Sequence, residues 1–431
     1  MIFSVGIVVT WSSNPRGGCR KLLVRTENSN RLHTGTAVPL KVMQPFDPYS
    51  VQLIDDPYRI YSRLRREDPV HYAPVFDGWV LSRHADIEEA LRDHGLYSSA
   101  SGVELGEPLF GPGDFIVHDP PQHDLLRRQV HRPFQGKRLP DLDEQVRAQC
   151  VELLDGLADS KEIDVITAYA EIVPAATICS MLGVESERIS WVIGQVHALM
   201  NRDPETLDVE SPLAARDSLT KYFQERCSVG ASNTGESGTL MSVLTKSVER
   251  GEIEESDFPG LCLTLLAAGT ETTSALIGWS VYHLVCGNLS PTYFRDNMGP
   301  RGLNVLDEIA RLESPIQWLT RTTRDDVELH NKKIPGGSRV ILLYASANRD
   351  HDVFGSPNSL IPGRNCSRSL AFGAGVHHCL GRLLSRREAF IALQVFLNKF
   401  DVAPELGNVS RFRSTWLRGF GHLTVTVKSR P

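Results

Sequence analysis

The stretch from Phe258 to Val285 constrains the fold of this chain more than any other segment. It is predicted to form one long helix, apolar on all sides except at a polar cluster, residues 268–273. Side chains of such a helix are shielded from water on nearly all faces. With 431 residues, 41% of them hydrophobic and 23% charged, the chain has the composition of a globular protein with a large core. No segment approaches the roughly 18 apolar residues of a membrane span, so we expect no span.

The remaining sequence predicts mostly helices and a few short strands. Apolar residues at helical spacing follow Asp56, and helical patterns dominate from His123 through Val229. Residues 98–117 are rich in Gly, Ser and Pro and predict a long loop of the kind that forms lids or binding surfaces. Residues 230–238 predict a flexible surface loop, and short strands are predicted at residues 78–81, 327–329, 339–343 and 423–428. We therefore expect a mainly α fold with small peripheral β-sheets.

The sequence changes character at Pro45. Residues 1–45 carry six basic residues against one acid, Glu27. They predict either an extension without a defined fold, or a start codon assigned too early, or an organelle transit segment. Residues 46–431 show no linker, so we predict one large domain there.

Charge and cysteine usage limit the functional classes. The formal net charge of -6 speaks against a nucleic-acid binder, which usually carries a basic balance. The eight cysteines are scattered and form no C-x-x-C pair, which is unlike a secreted disulfide scaffold or a zinc ribbon. We expect most of them to be buried reduced thiols. The run from Ile2 to Trp11 lacks the basic start and cleavage site of a secretory signal, so we predict a cytoplasmic protein.

The strongest chemical signal is the segment Phe372-Gly373-Ala374-Gly375-Val376-His377-His378-Cys379-Leu380-Gly381. Its glycines allow tight turns that bring peptide N–H groups towards a sulfur, and a helix pattern starts directly afterwards. Such donors, together with a metal, hold a cysteine as thiolate. Four interpretations compete: a structural cysteine, a zinc site with His377 and His378, a Cys–His nucleophile, and a haem thiolate ligand. Adjacent ligands rarely close a zinc tetrahedron.

This segment resembles the haem-binding loop of the cytochrome P-450 family at every prescribed position, F-G-x-G-x-H-x-C-x-G. The resemblance implies a cytochrome P-450 fold with haem b between the long 258–285 helix and the cysteine loop. It implies that Cys379 is the iron ligand, with Phe372 beside the sulfur and Gly375 and Gly381 shaping the loop. His377 stands where the family places a basic residue against a haem propionate. Thiolate ligation favours O–O cleavage.

The polar cluster of the long helix is Ala268-Gly269-Thr270-Glu271-Thr272-Thr273. A lone buried Glu in such a helix is more often a paired structural acid, since burial is costly without partners or a task. The family carries a similar cluster above the haem. By that resemblance Ala268 and Gly269 leave room for oxygen, and Glu271 and Thr272 are the catalytic residues that relay protons.

Glu308 and Arg311 are three residues apart and share one helical face, a pattern that is weak evidence alone. The family has Glu-x-x-Arg at this place as a structural ion-pair network, and Arg364 resembles its third member. Residues 286–304 lack the helix and His-Pro turn that the family usually has before this network.

His123 and Arg127 are four residues apart after Asp119-Pro120-Pro121, which also places them on one helical face. The simple alternative is a solvated helix start. The segment resembles the family's helix that offers a His and an Arg to the haem propionates. Arg321 resembles a further propionate ligand, a role that suits the bidentate guanidinium.

The resemblance covers about residues 46–431 and is nearest to the soluble bacterial members. It implies a monooxygenase that inserts one atom of O2 into a small organic substrate by hydroxylation, dealkylation or epoxidation. NAD(P)H would supply electrons through a reductase and a ferredoxin. The alternatives are a peroxide-using or non-oxygenating haem-thiolate enzyme and a haem-binding sensor. The substrate pocket is predicted to use Leu265, Leu266, Ile316, Leu319 and Trp416.

Several basic residues lie near the two segments expected on the cysteine side of the haem. Each alone is most simply a solvated surface residue, but together they predict a positive face that steers an acidic ferredoxin. They are Arg128, Arg132, Lys137, Arg138, Arg382, Arg386 and Arg387.

Overall fold

The computed structural model describes residues 46–430, apart from Glu107, residues 135–138, Leu207, residues 230–238 and residues 296–298. The predicted extension, residues 1–45, the loop 230–238 and the basic residues Lys137 and Arg138 therefore lie outside the described residues. Fourteen helices are described, in chain order α1 Gln52–Asp55, α2 Tyr58–Glu67, α3 His84–Arg92, α4 Gln122–His131, α5 Leu139–Asp155, α6 Ile172–Met181, α7 Ile189–Met200, α8 Glu210–Val229, α9 Leu240–Glu249, α10 Asp257–Val285, α11 Thr292–Arg295, α12 Pro300–Glu313, α13 Tyr344–Ala347 and α14 Arg382–Lys399.

Ten strands form three small sheets. They are β1 Val70–Ala73, β2 Gly78–Leu81, β3 Tyr97–Ser98, β4 Glu162–Asp164, β5 Leu319–Thr323, β6 Val327–Leu329, β7 Lys332–Ile334, β8 Arg339–Leu342, β9 Phe400–Arg411 and β10 Phe420–Ser429. The sheet orders are β1-β2-β8-β5-β3, β4-β10-β9 and β6-β7. β2 and β8 pair in parallel, with Gly78 opposite Arg339, and the other pairs are antiparallel. The predicted mainly α fold with small sheets is confirmed.

Helix α10 lies at the centre of the domain, in contact with α6, α8, α12 and α14. Its second half packs into a core with α12, α14 and strand β10, where Trp279, Ile309, Phe390 and Phe396 are buried. Because helices surround α10, its apolar side chains on nearly all faces leave water, which accounts for the apolar pattern of its sequence.

The prediction that no segment could pass for a membrane span was wrong for α10. By length and composition this helix is long and apolar enough to cross a membrane, but 83% of its most apolar stretch is buried inside the domain. A core helix and a membrane helix share this composition because both avoid water. Here the surrounding helices of the same chain provide the apolar environment.

Where the sequence departs from the family pattern, residues 286–304, the structure has the four-residue helix α11 and the first turn of α12. Phe294 of α11 is fully buried, and its ring centroid lies 5.8 Å from that of Phe390 on α14. This short helix therefore anchors the segment to the core despite its unusual sequence.

Candidate active site

A cavity of about 1950 Å³ of empty space lies between α10 and the loop that carries Cys379. Its walls are largely apolar and come from distant parts of the chain: the loop before α4, helices α4, α6, α10 and α14, strand β5 and the cysteine loop. Both of the segments that the sequence predicted to hold the chemistry therefore face the same space.

Two glycines give the cysteine loop its shape. Gly373 and Gly375 have φ angles of 67° and 68°, in the left-handed region that favours glycine. A Cβ at Gly375 would lie 2.2 Å from the carbonyl oxygen of Leu91, which belongs to α3. The backbone of α3 therefore also excludes a side chain at this position. Gly381 differs, since its φ is −83° and it serves as the residue before α14.

The Cys379 side chain faces the cavity, and its exposed surface is cavity surface, since the thiol lies deep inside the protein. Burial raises the pKa of this thiol, whereas peptide N–H groups of Gly381 and Arg382 and the charge of Arg127 act to lower it. The N–H donors predicted from the sequence are thus in place. Burial outweighs these groups, so the pKa of the Cys379 thiol stays above its usual value.

Four polar side chains predicted to hold propionates gather at one end of this space. Arg127, Arg321 and His377 line the cavity, while His123 is buried behind His377 with the two ring centroids 4.5 Å apart. His377 Nε2 lies 3.1 Å from the Ser99 hydroxyl, and Arg127 donates to the His378 carbonyl oxygen over 2.6 Å. His123 Nε2 and His377 Nδ1 are buried without a hydrogen-bond partner.

On the opposite wall, α10 presents Ala268, Gly269 and Thr272 to the cavity. A Cβ at Gly269 would have its nearest contact with the Ile178 side chain, at an ordinary 3.6 Å. The Thr272 hydroxyl donates to the Ala268 carbonyl oxygen over 2.8 Å, which keeps that side chain on the cavity face of the helix.

Glu271 does not line the cavity, although it was predicted to act beside Thr272. Its carboxylate is buried outside the cavity lining, with Oε1 3.4 Å from His197 Nε2 of α7. His197 Nε2 also lies 3.3 Å from Glu171 Oε1, so it is within ion-pair distance of both acids. This nitrogen is buried and has no hydrogen-bond partner among the described residues. Burial raises the pKa of Glu271 to about 7; the charge of His197 acts against this shift and that of Glu171 adds to it.

The sequence offered no local signal for Glu171 or His197. Glu171 directly precedes α6 and His197 lies on α7, both more than 70 positions before Glu271, and only the packing of α6 and α7 on α10 brings the three together. The His197 side chain keeps 35% of its surface accessible, which makes it the member of this group that meets solvent.

Glu308, Arg311 and Arg364 lie together as the resemblance implied. Glu308 Oε1 accepts hydrogen bonds from Arg311, Arg364 and the Ile361 N–H, at 2.9, 2.9 and 3.0 Å. Arg311 also donates to Glu308 Oε2 over 2.6 Å and reaches the Asn348 and Pro357 carbonyl oxygens. The Cys366 thiol donates to Oε2 over 3.3 Å, an additional member that the sequence did not reveal.

Four of the five residues predicted to form the substrate pocket line the cavity. Leu265, Ile316, Leu319 and Trp416 line the cavity, but Leu266 does not and is fully buried elsewhere. Residues 264, 265, 268, 269, 272 and 273 line the cavity as one face of α10, and Leu266 lies outside that face. The loop 98–117 contributes many wall residues, among them Val103, Phe115 and Val117.

Fewer of the basic residues predicted for the cysteine side of the haem carry an unpaired charge than the sequence indicated. Arg386 lies 2.9 Å from Asp307, and Arg382 lies 3.6 Å from the same acid. Arg387 pairs with Asp143, so two acids compensate part of the charge of three arginines on α14. Arg128 and Arg132 are exposed, and neither forms an ion pair with any residue that the structure describes.

These residues fit a haem. The cysteine thiol supplies the soft ligand that iron accepts, and the small residues on α10 leave room opposite it. The two arginines and the two unpartnered imidazole nitrogens are matched to a pair of carboxylates at one edge of the cavity. No other interpretation of the cysteine loop accounts for this cationic end.

Comparisons with known proteins agree with this fit. The sequence profile of the family described as cytochrome P-450 matches residues 303–428. Cytochrome P-450 109 of Bacillus spizizenii is 33% identical over 349 residues, which cover 79% of this chain and 84% of the relative. The vitamin D(3) 25-hydroxylase of Pseudonocardia autotrophica is 30% identical over 396 residues, with coverage of 89% and 97%.

Solved structures give the same result. A thermophilic cytochrome P-450 from Sulfolobus tokodaii superposes with a TM-score of 0.74 at 28% identity, covering 86% of this chain and 100% of that chain. A cytochrome P-450 from Bacillus megaterium, crystallised in complex with testosterone, gives a TM-score of 0.78 at 25% identity, with coverage of 87% and 98%.

Proposed function

The chain belongs to the cytochrome P-450 family and is a haem-thiolate monooxygenase, and from this premise we propose how its own residues divide the work. Cys379 holds the haem iron, and Arg127, Arg321, His123 and His377 bind the propionates. The observation that carries this proposal is the Cys379 thiol on the cavity floor, with the Gly381 and Arg382 N–H groups directed at it and Ala268 and Gly269 opposite. When bound, the haem activates O2 so that one oxygen atom is inserted into the substrate.

Proton delivery is assigned to the far wall of the cavity. His197 is open to solvent and lies 3.4 Å from Glu271, which holds a proton near neutral pH because burial raises its pKa to about 7. Thr272 lies next along α10 with its hydroxyl at the cavity. A proton therefore passes from His197 to Glu271 and, after rotation of the Glu271 side chain or through water, to the Thr272 hydroxyl. Positioned proton donors of this kind contribute about a hundredfold or more to a rate.

Electrons come from NAD(P)H through a reductase and a ferredoxin that docks on the cysteine side. The uncompensated positive charges there are Arg128 and Arg132, both exposed. Charge reversal at Arg128 should slow reduction by ferredoxin at about 0.1 M salt, where the Debye length is about 10 Å, and leave dithionite reduction unchanged. Reversal at the exposed Lys221 of α8 is the matched control. Stopped-flow rates independent of salt and of Arg128 would contradict this docking face.

The substrate is a small organic molecule that is largely apolar. The cavity walls around Val103, Leu265, Ile316 and Trp416 support this class, as does the testosterone seated in the related Bacillus megaterium structure. The domain comprises residues 46–431 and is cytoplasmic, with residues 1–45 as an extension outside it.

A peroxide-using enzyme of the same fold and a haem-binding sensor remain the alternatives. A sensor needs no proton relay, so the buried Glu271 beside the solvent-accessible His197 favours an enzyme over a sensor. Product formed with NAD(P)H, reductase and ferredoxin but not with peroxide alone separates the three.

One experiment tests the proposed ligand directly. Reduction of the purified protein under carbon monoxide should give the far-red-shifted Soret band of thiolate ligation. Cys379→Ala should abolish this band, whereas Cys286→Ala, which removes the other exposed cysteine among the described residues, should leave it intact. A wild-type protein without haem after reconstitution would falsify the proposal.

A further inference from the structure

Asp114 is a buried acid in the wall of an otherwise largely apolar cavity. It lies in the loop before α4, only 3% of its surface is accessible, and it lines the cavity together with Phe115 and Val117. Burying a carboxylate in such surroundings is costly unless it is paired or has a task. Neither the comparisons with known proteins nor the proposed proton relay gives Asp114 a counter-ion or a task.

The loop holds Asp114 in a fixed position. A Cβ at Gly113 would lie 1.7 Å from the Asp257 carbonyl oxygen, and one at Gly260 would lie 2.7 Å from the Gly113 nitrogen. The backbone of the loop therefore packs directly on the first turns of α10. Asp114 Oδ1 accepts from the Ile116 N–H over 3.0 Å and lies 2.9 Å from the Thr264 hydroxyl of α10.

Both contacts fall on one oxygen of this carboxylate. Oδ2 has no hydrogen-bond partner among the described residues, and Asp114 forms no ion pair with any of them. The Thr264 hydroxyl also lies 2.8 Å from the Gly260 carbonyl oxygen, and its single hydrogen cannot serve both acceptors fully. Asp114 is therefore an under-satisfied acceptor at the cavity surface.

Glu104, another acid of the cavity wall, does have a cation beside it. It pairs with Arg202 over 2.9 Å, and Arg202 in turn donates to the Leu199 and Asn201 carbonyl oxygens. The charged groups that act most on Asp114 are Glu104 and His118, and burial raises its pKa to about 6. At neutral pH Asp114 is thus mainly ionised, with no cation of the described chain bound to it.

We propose that Asp114 binds the ammonium group of the substrate, so that this enzyme oxidises elongated apolar amines. This inference rests on the proposed monooxygenase function and specifies its substrate class. Thr264, Ala268 and Thr272 are spaced four residues apart on the cavity face of α10. At 1.5 Å per residue, the carboxylate that Thr264 contacts lies about 6 Å along the helix from Ala268 and about 12 Å from Thr272. The carbon that is oxidised therefore lies about 6–12 Å from the nitrogen of the substrate.

A purely structural role for Asp114 makes a different prediction. As the residue before the short 3-10 helix Phe115–Val117, it caps that turn through the Ile116 N–H. Asn caps a helix start as well as Asp does. Asp114→Asn therefore keeps the cap and the loop, and removes only the negative charge.

The test uses three decyl compounds as probes: decyltrimethylammonium, decanol and decanoate. The quaternary ammonium carries the charge but cannot ligate iron. Binding to the haem-loaded protein is measured by the Soret shift and, independently, by calorimetry. Wild type should prefer decyltrimethylammonium to decanol, and Asp114→Asn should weaken binding of the ammonium probe by about tenfold to a hundredfold while leaving decanol binding unchanged. Glu104→Gln is the matched control and should keep the preference.

Equal affinity of wild type and Asp114→Asn for decyltrimethylammonium would overturn the inference, as would an equal loss in Glu104→Gln. A uniform loss for all three probes in Asp114→Asn would show a structural role instead. These results are separate from a failure of the proposed function, because the carbon monoxide band of each variant reports thiolate ligation without any substrate.

Discussion

Glu308 on α12 and Glu271 on α10 are both buried carboxylates in helices of the same core, but their surroundings differ. Both oxygens of Glu308 accept hydrogen bonds, from two arginines, a peptide N–H and a thiol. Glu271 Oε1 has no hydrogen-bond partner, and the cation that the structure places beside it is His197, at 3.4 Å. The hydrogen bonding of the Glu308 carboxylate is therefore complete, whereas that of the Glu271 carboxylate is not.

The pKa values follow this difference. Burial acts to raise the pKa of Glu308, but the hydrogen bonds and charge of Arg311 and Arg364 outweigh it, so its pKa is lowered. For Glu271 burial prevails and raises the pKa to about 7. A carboxylate that is fully paired stays ionised and fixes the structure. One that is half paired exchanges its proton near neutral pH, which a relay requires.

The largest effect should come from breaking the complete site. Glu308→Ala leaves Arg311, which is fully buried, without its counter-ion, and removing one partner of a buried pair costs about 3–5 kcal/mol. We expect a large loss of thermal stability and of bound haem, measured by calorimetry and by the carbon monoxide band. Glu144→Ala, at an exposed position of α5, is the control. A Glu308→Ala protein as stable as this control would show that the network is not structural.

Changing the incomplete site should affect turnover instead. Glu271→Gln keeps shape and removes the exchangeable proton, so we expect stability and haem content near wild type and product formation lower by about a hundredfold.

Thr272→Ala should keep haem and substrate binding but divert NAD(P)H to hydrogen peroxide, because the hydroxyl at the cavity is lost. Product and peroxide are measured per NAD(P)H consumed. Normal coupling in Thr272→Ala would remove this residue from the relay.

The pH dependence of stability should have opposite signs at the two acids. The pKa of Glu271 is raised from 4.5 to about 7, so its contribution to stability is greatest below pH 4.5 and is lost as pH rises to about 7. The contribution of Glu308, with its lowered pKa, is present above its usual pKa and is lost as pH falls. Relative to wild type, Glu271→Gln should therefore gain melting temperature between about pH 5 and about pH 8. An unchanged difference across this range would contradict the assigned pKa.

The smallest effect is expected from deleting residues 1–45. Both acids and the partners that the structure describes for them lie within residues 46–430, so the truncated protein should keep its haem content, melting temperature and both pH responses. A marked loss on truncation would show that the extension packs on the domain and alters one of the two sites.

Much of the site could be predicted because its parts are contiguous in sequence. The left-handed glycines at 373 and 375, the cysteine and the following helix occupy one short segment, and Glu308 and Arg311 are one helical turn apart. Local geometry fixes such groups, whatever the rest of the chain does. The apolar pattern of α10 likewise predicted a buried helix, although composition could not show that protein rather than lipid surrounds it.

The tertiary structure alone decided which distant charges meet. It placed His197 and Glu171 near Glu271, and it paired Arg386 with Asp307 and Arg387 with Asp143. It also placed Asp114 beside Thr264, with no cation of the described residues paired to it. Each of these relations depends on how helices and loops far apart in sequence pack together. The sequence does not show whether a charged residue has a counter-ion beside it. Its neighbours in space determine its pKa and its role.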